Sequence, residues 1–186
     1  MSDPKPWRVL ASRIVHADRW IRLRADTCET DEGTRIDPYY VIEAGDWVQV
    51  VALTDACEVV TIRLYRHGAA AVSHELPSGQ IDDGEEPLAG GQRELLEETG
   101  FGAREWRLLP ALPANSARQR TLAHIVLALG AERIADPADD PTERVAVQLV
   151  PAAEAVRMAR AGELTQGLHV AALALALTEL GLWESG

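Results

Sequence analysis

The chain has 186 residues, of which 47% are apolar, with a formal net charge of −11 and two cysteines. That length suits one well-buried α/β domain with an appendage and is too short for two full-sized domains. No apolar run approaches the roughly 18 residues of a membrane span, and the acidic balance disfavours broad binding to nucleic-acid backbones or anionic lipid surfaces. Cys28 and Cys57 are too few for a disulfide framework, and both lie in strand-like surroundings that suit small buried thiols. The opening MSDPKPW has neither the charged flank nor the apolar core of a secretory leader, so a soluble protein of the reducing cytoplasm is expected.

In chain order, three strand-like runs come first, Arg8 to Val15, Trp20 to Glu29 and Arg35 to Glu43, separated by the turn signals His16-Ala17-Asp18 and Asp31-Glu32-Gly33. They predict a small antiparallel sheet over residues 1–45, with the main domain over 46–186. Trp47 to Thr54 and Glu58 to Tyr65 read as a hairpin of central, Val/Ile-rich strands around Thr54-Asp55-Ala56-Cys57. Ser73 to Gly79 is a short extended piece. Pro87 suits a first helical turn and Gly100 a left-handed C-terminal cap, so the spacing predicts a helix over Pro87 to Thr99. A strand near Trp106 to Leu109, a loop from Pro110 to Arg118 and a strand from Arg120 to Leu129 follow. After the acidic loop at Asp136 to Thr142 come a strand, Val145 to Val150, and two helices, Pro151 to Ala161 and Leu168 to Leu180. Strands and helices mix without regular βαβ alternation, which favours a mixed sheet covered by helices over a doubly wound fold.

On the central helix Glu94 and Glu98 are one turn apart and Glu97 lies beside them, an arrangement that is unfavourable for like charges unless a cation stands among them. A Glu-rich helix is also a common form of solvated face. Oxygen-only ligation suits a hard divalent ion, Mg²⁺ first and Mn²⁺ as a substitute.

Spacing decides between these readings. Gly79, Glu85, Arg93, Glu94, Leu95, Glu97, Glu98, Gly100 and Phe101 fill every fixed position of G-x5-E-x7-R-E-U-x-E-E-x-G-U, where U is a bulky apolar residue. In this the sequence resembles the Nudix hydrolases. The resemblance implies an α/β/α sandwich with a mixed sheet and hydrolysis of a nucleoside diphosphate linked to another group. Carried over by position, Glu94, Glu97 and Glu98 would hold metal together with the backbone carbonyl of Ser78, and Arg93 would pair with Glu85 and orient the site. An additional N-terminal three-stranded sheet resembles the ADP-ribose pyrophosphatase branch, where it swaps across a homodimer and contributes to the partner's nucleotide pocket. ADP-ribose is therefore the first substrate expected, to be split into nucleoside monophosphate and sugar phosphate.

Outside the motif, Glu75 would line the substrate site by the same resemblance, and Arg66 would stand at a strand end where a guanidinium can grip phosphate. Trp20, Tyr39, Tyr40 and Trp47 are candidates for stacking on a base, although strand aromatics are commonly packed core. The general base that activates water is open among Asp139, Asp140, Glu143 and Glu98, with Glu143 nearest in register to the strand that follows. Where ADP-ribose enzymes carry a proline beyond the motif, this chain has Ser116. Arg118 and Arg120 in the same loop could meet a phosphate, which keeps GDP- and UDP-sugars open. A nucleotide-sensing module without catalysis is the alternative of another class, but its motif is commonly degraded. An isopentenyl diphosphate isomerase would use a cysteine near the motif, and neither cysteine lies there.

Overall fold

The structure is a computed structural model that describes residues 3–138 and 143–183. The chain forms two compact units, one made of the residues up to Gly45 with Pro113–Thr121, the other of Asp46–Leu112 with the chain from Leu122 onward.

In the first unit β1 (Arg8–Ala17), β2 (Arg22–Glu29) and β3 (Arg35–Glu43) form an antiparallel sheet in that order, as expected. The second strand begins two residues later than its composition suggests. The Asp18 carboxylate accepts the N–H groups of Trp20 and Ile21 at 2.8 and 2.9 Å, and that side-chain turn takes both residues out of the ladder. Every residue of β1 is exposed, Leu10, Ile14 and Val15 included. The segment Pro113–Thr121 is strapped to β3: Ile42 donates its N–H to the Arg118 carbonyl at 2.7 Å, and the Tyr39 hydroxyl donates to the Ala117 carbonyl.

The second unit contains β4 (Trp47–Leu53), β5 (Glu58–Arg66), a 3-10 turn (His67–Ala69), β6 (Ala71–Glu75), β7 (Ser78–Gln80) and α1 (Pro87–Thr99). There follow β8 (Phe101–Gly102), β9 (Glu105–Pro113), β10 (Leu122–Leu129), β11 (Glu132–Arg133), β12 (Ala146–Pro151), α2 (Ala152–Ala161) and α3 (Gly167–Glu179). Its sheet has seven strands, with the path β12-β5-β4-β10-β9, β6 on β5 and β7 on β4. β4 and β10 run parallel while β5 is antiparallel to β4, β6 and β12, so the sheet is mixed. Alternation along β4 separates two apolar layers. Val48, Val50 and Ala52 pack with Leu95 of α1 on one side, and Val51 and Leu53 pack with α2 and α3 on the other. Helices thus cover both faces, the expected sandwich. No helix among the described residues is long and apolar enough to cross a membrane.

Two expectations are corrected. Cys57 is exposed and sits in a turn with φ 59°, its N–H bonded to the Thr54 carbonyl, whereas Cys28 is buried as expected. The predicted loop from Pro110 is instead the continuation of β9 to Pro113. β9 ends the sheet path, and an edge strand tolerates a proline because one side of its ladder needs no N–H.

Candidate active site

Helix α1 runs over the residues predicted for it. It starts with proline in its first turn and closes on Gly100 at φ 73°, whose N–H returns to the Leu96 carbonyl. Gly91 lets it lie close on the sheet: a Cβ there would stand 3.0 Å from Val126 Cγ2 and 3.3 Å from Val48 Cγ2. Burying Leu95 fixes which way the helix faces and contributes about 2 kcal/mol. With Leu95 inward, Glu94 and Glu98 are carried to the side where β7 enters the loop before the helix. The Ser78 N–H donates to Glu98 Oε2 at 2.8 Å, and a Cβ on Gly79 would collide with the Glu94 carboxylate.

Arg93 organises the outer half of this cluster. Its Nε and Nη2 donate to the two oxygens of Glu85 at 2.9 Å each, Nη2 also reaches the Gln80 carbonyl at 3.0 Å, and Nη1 donates to Glu94 at 2.7 Å and Glu97 at 3.2 Å. The Arg93–Glu85 pair expected from the motif is therefore present, extended to two further carboxylates. The guanidinium, aided by the Asp82 N–H, holds the Glu85 carboxyl down at about 2. Glu98 goes the other way. Burial pushes its carboxyl up to about 8 against the opposing Ser78 N–H, and the charges of Glu94 and Glu143 add to the rise. Burial likewise raises Glu94, with Arg93 opposing it.

Glu94, Glu97, Glu98 and Glu143 line one cavity of about 460 Å³, joined by Arg144, which sequence reading passed over. Glu143 is brought in by Arg66, whose Nη1 donates to Glu143 Oε1 at 2.7 Å. The other edge of the Arg66 guanidinium grips Glu75, with Nη2 at 2.9 Å and Nε at 3.2 Å. Glu75 is 0% exposed; burial alone would push its carboxyl up, and the bonds from Arg66 and Ser73 outweigh that and hold it below the usual range. Asp139 and Asp140 lie outside the described residues. Trp47 is exposed at the start of β4, where it pairs with Gln80. Arg118 belongs to the strap of the first unit, its guanidinium 5.7 Å from the ring centroid of Tyr39. Of the aromatic candidates, Trp20 is the most open at 79%, with Arg19 4.3 Å over its ring, and Tyr39 packs edge-on against Trp7.

His169 is a functional candidate that sequence reading missed. It is buried on α3, accepts the Leu76 N–H on Nδ1 at 3.1 Å, and stands 4.0 Å from Glu75 Oε2. The histidine and its contact are 93 residues apart in the chain, and nothing local to either marks the pairing. His124 is half-buried with Nε2 3.2 Å from Asp46 Oδ2.

The donor set fits a hard divalent cation on two observations: every candidate ligand is an oxygen, and a carboxyl as reluctant to ionise as Glu98 needs positive charge beside it to do so at neutral pH. Among the described residues no three His, Cys, Asp or Glu side chains gather at metal-ligand distance, and Arg93 pairs with Glu94 and Glu97.

A NUDIX domain model matches residues 45–169, and a model for the nucleoside diphosphate sugar hydrolase N-terminal domain matches residues 7–42. The chain is 28% identical over 172 residues to a CMP-5'-(N-acetyl-N-hydroxy-3-aminopropyl)phosphonate hydrolase of Streptomyces rubellomurinus, covering 91% of this chain and 82% of the relative. It is 28% identical over 167 residues to an ADP-ribose pyrophosphatase of Mycobacterium tuberculosis, covering 89% of this chain and 80% of that one. An ADP-sugar pyrophosphatase of Mus musculus is 32% identical over 136 residues, covering 67% and 62%. A crystal structure of an ADP compounds hydrolase superposes with a TM-score of 0.86 at 24% identity, over 98% of this chain and 100% of the other.

Proposed function

This chain belongs to the NUDIX family, and from that premise we propose that it hydrolyses the diphosphate of a nucleoside diphosphate sugar, ADP-ribose first, with Mg²⁺ as cofactor and Mn²⁺ as substitute. The observation that carries the reading is the gathering of Glu94, Glu97, Glu98 and Glu143 around one cavity, with Glu98 partly buried and Arg93 tethering the outer carboxylates. Two curated relatives named for ADP-ribose or ADP-sugar hydrolysis, together with the N-terminal domain match, support the substrate class.

Glu94, Glu97, Glu98 and the Ser78 carbonyl are the proposed ligands. A divalent cation held there would supply positive charge beside the diphosphate and would acidify a water. Arg93 and Glu85 keep the ligands oriented. Glu143 is the proposed general base, because it shares the cavity with the helix carboxylates and is anchored by Arg66. It takes a proton from the attacking water as oxygen bonds to phosphorus, and the bond from that phosphorus to the bridging oxygen breaks, leaving the bridging oxygen on the second phosphate. Arg66 and Trp47 are proposed to border the substrate site, whereas Glu75, expected there by resemblance, is fully buried behind Arg66 and does not line it.

The open face of the N-terminal sheet supports a homodimer, and two unpaired cysteines suit a reducing cytoplasm. The experiment is a panel of ADP-ribose, GDP-mannose, UDP-glucose, NADH and diadenosine polyphosphates, assayed with Mg²⁺ and with EDTA. ADP-ribose should be cleaved fastest, to AMP and ribose 5-phosphate, with EDTA abolishing turnover. A preference for GDP-mannose or UDP-glucose would reassign the base and sugar, and no cleavage of any member would refute the enzymatic reading.

A further inference from the structure

We propose that Arg66 is a positioning residue that acts on the reaction through Glu143, and that Glu75, Ser73 and His169 form the buried anchor that makes it rigid. The inference rests on the diphosphate-hydrolase reading and assigns Arg66 a different task from the phosphate grip that its strand-end position suggests.

The division of the guanidinium carries the argument. Nε and Nη2 are spent on Glu75, which is fully buried at the end of β6, while Nη1 is spent on Glu143, whose side chain is 41% exposed in the cavity wall. One edge of the fork is thus fixed in the interior and the other aims a mobile-length carboxylate. The two strands that carry the pair are locked in register, Ile62 opposite Glu75 and Arg66 opposite Ala71. On the inner side the Ser73 hydroxyl bonds both Glu75 and the Thr165 hydroxyl just ahead of α3. His169 accepts the Leu76 N–H on Nδ1, so that nitrogen holds no proton and the ring next to Glu75 is neutral.

Charge then decides the role. With His169 neutral, Arg66 alone balances Glu75, and Arg66, Glu75 and Glu143 together keep one net negative charge. A diphosphate has little to gain from a guanidinium already neutralised by a buried partner, and pulling it away would strand the Glu75 charge in the interior. Holding Glu143 by Oε1, in contrast, leaves Oε2 to receive the proton from water. Positioning needs no bond in the network to break.

The test is a double-mutant cycle on the full chain with Arg66→Lys and Glu143→Gln, alone and together, read as kcat and KM for ADP-ribose with Mg²⁺. It is paired with calorimetric binding of the non-hydrolysable α,β-methylene analogue. Lysine keeps the charge beside Glu75 but cannot reach both carboxylates. Glu143→Gln should lower kcat by about 100-fold or more. Arg66→Lys should lower kcat by about tenfold or more, with KM and analogue affinity within about threefold of wild type, and the double variant should match Glu143→Gln alone. Losses that multiply in the double variant, or an analogue affinity about tenfold weaker in Arg66→Lys, would assign Arg66 to the phosphates and overturn the proposal. Should Arg66→Lys fail to fold, Glu75→Gln takes its place in the same cycle with the same expectations. A wild-type enzyme that cleaves no nucleoside diphosphate sugar removes the underlying reading, whereas an active wild type with multiplying losses sinks this inference alone.

Discussion

Single side chains divide here into those that stabilise the fold and those held against their own stability. Glu98 is of the second kind: it sits in a site that disfavours its charge, and it is retained where a cation would be needed. Glu98→Gln keeps an oxygen for the Ser78 N–H and removes the charge, so turnover should fall by about 100-fold or more while the melting temperature holds or rises; thermal melts run beside the kinetics check both. Gly79→Ala makes a different prediction. The atoms nearest the added Cβ are the far end of Glu94, a flexible side chain that can swing aside, so stability should change little while metal affinity and activity drop together. His169 supplies the pH dependence. Burial lowers its pKa to about 4, against the attraction of Glu75, from an unfolded value near 6.5. Between those values the unfolded chain binds the extra proton, so His169 costs stability progressively as pH falls from about 6.5 towards 4. His169→Asn can still accept the Leu76 N–H without titrating, and its melting temperature should decline less steeply than wild type over that range. Parallel slopes would show that the ring does not titrate as proposed.

At the level of elements, what was legible in the sequence is what local chemistry dictates. Pro87 and Gly100 bracket α1 because one lacks an N–H where none is needed and the other adopts a positive φ, and the motif carboxylates fall where helical geometry puts them. The Arg93–Glu85 pair, by contrast, was expected only through the motif's resemblance to a known family, its two members lying eight residues apart. The two-residue strands β8 and β11 left no pattern because their length is below any periodicity. The contacts Arg66–Glu143 and Leu76–His169 join positions 77 and 93 residues apart, and only the assembled sheet brings them together. Gly91 in α1, unfavourable by helix propensity, is explained by packing against the sheet. Gly91→Ala should gain up to about 1 kcal/mol of propensity and lose more by pressing on Val126 and Val48 in the core, for a net destabilisation of about 1 kcal/mol. Chemical denaturation measures it, and a stabilised variant would mean that the sheet yields.

For the whole molecule, the N-terminal sheet is the feature a single chain does not satisfy. β1 is exposed along its length, and Trp7, Leu10, Ile14, Val15 and Trp20 all lie open. A homodimer that covers this face should appear in sedimentation equilibrium at micromolar concentration as twice the 20.2 kDa chain mass, and Ile14→Asp should shift it towards monomer. The central claim, however, is the charge held by α1. Mn²⁺ binding followed by electron paramagnetic resonance tests it without depending on substrate identity: wild type should bind the ion, and Glu98→Gln should bind it at least about tenfold more weakly. Wild-type protein that leaves Mn²⁺ free in solution, or equal affinity in the two proteins, would contradict the account.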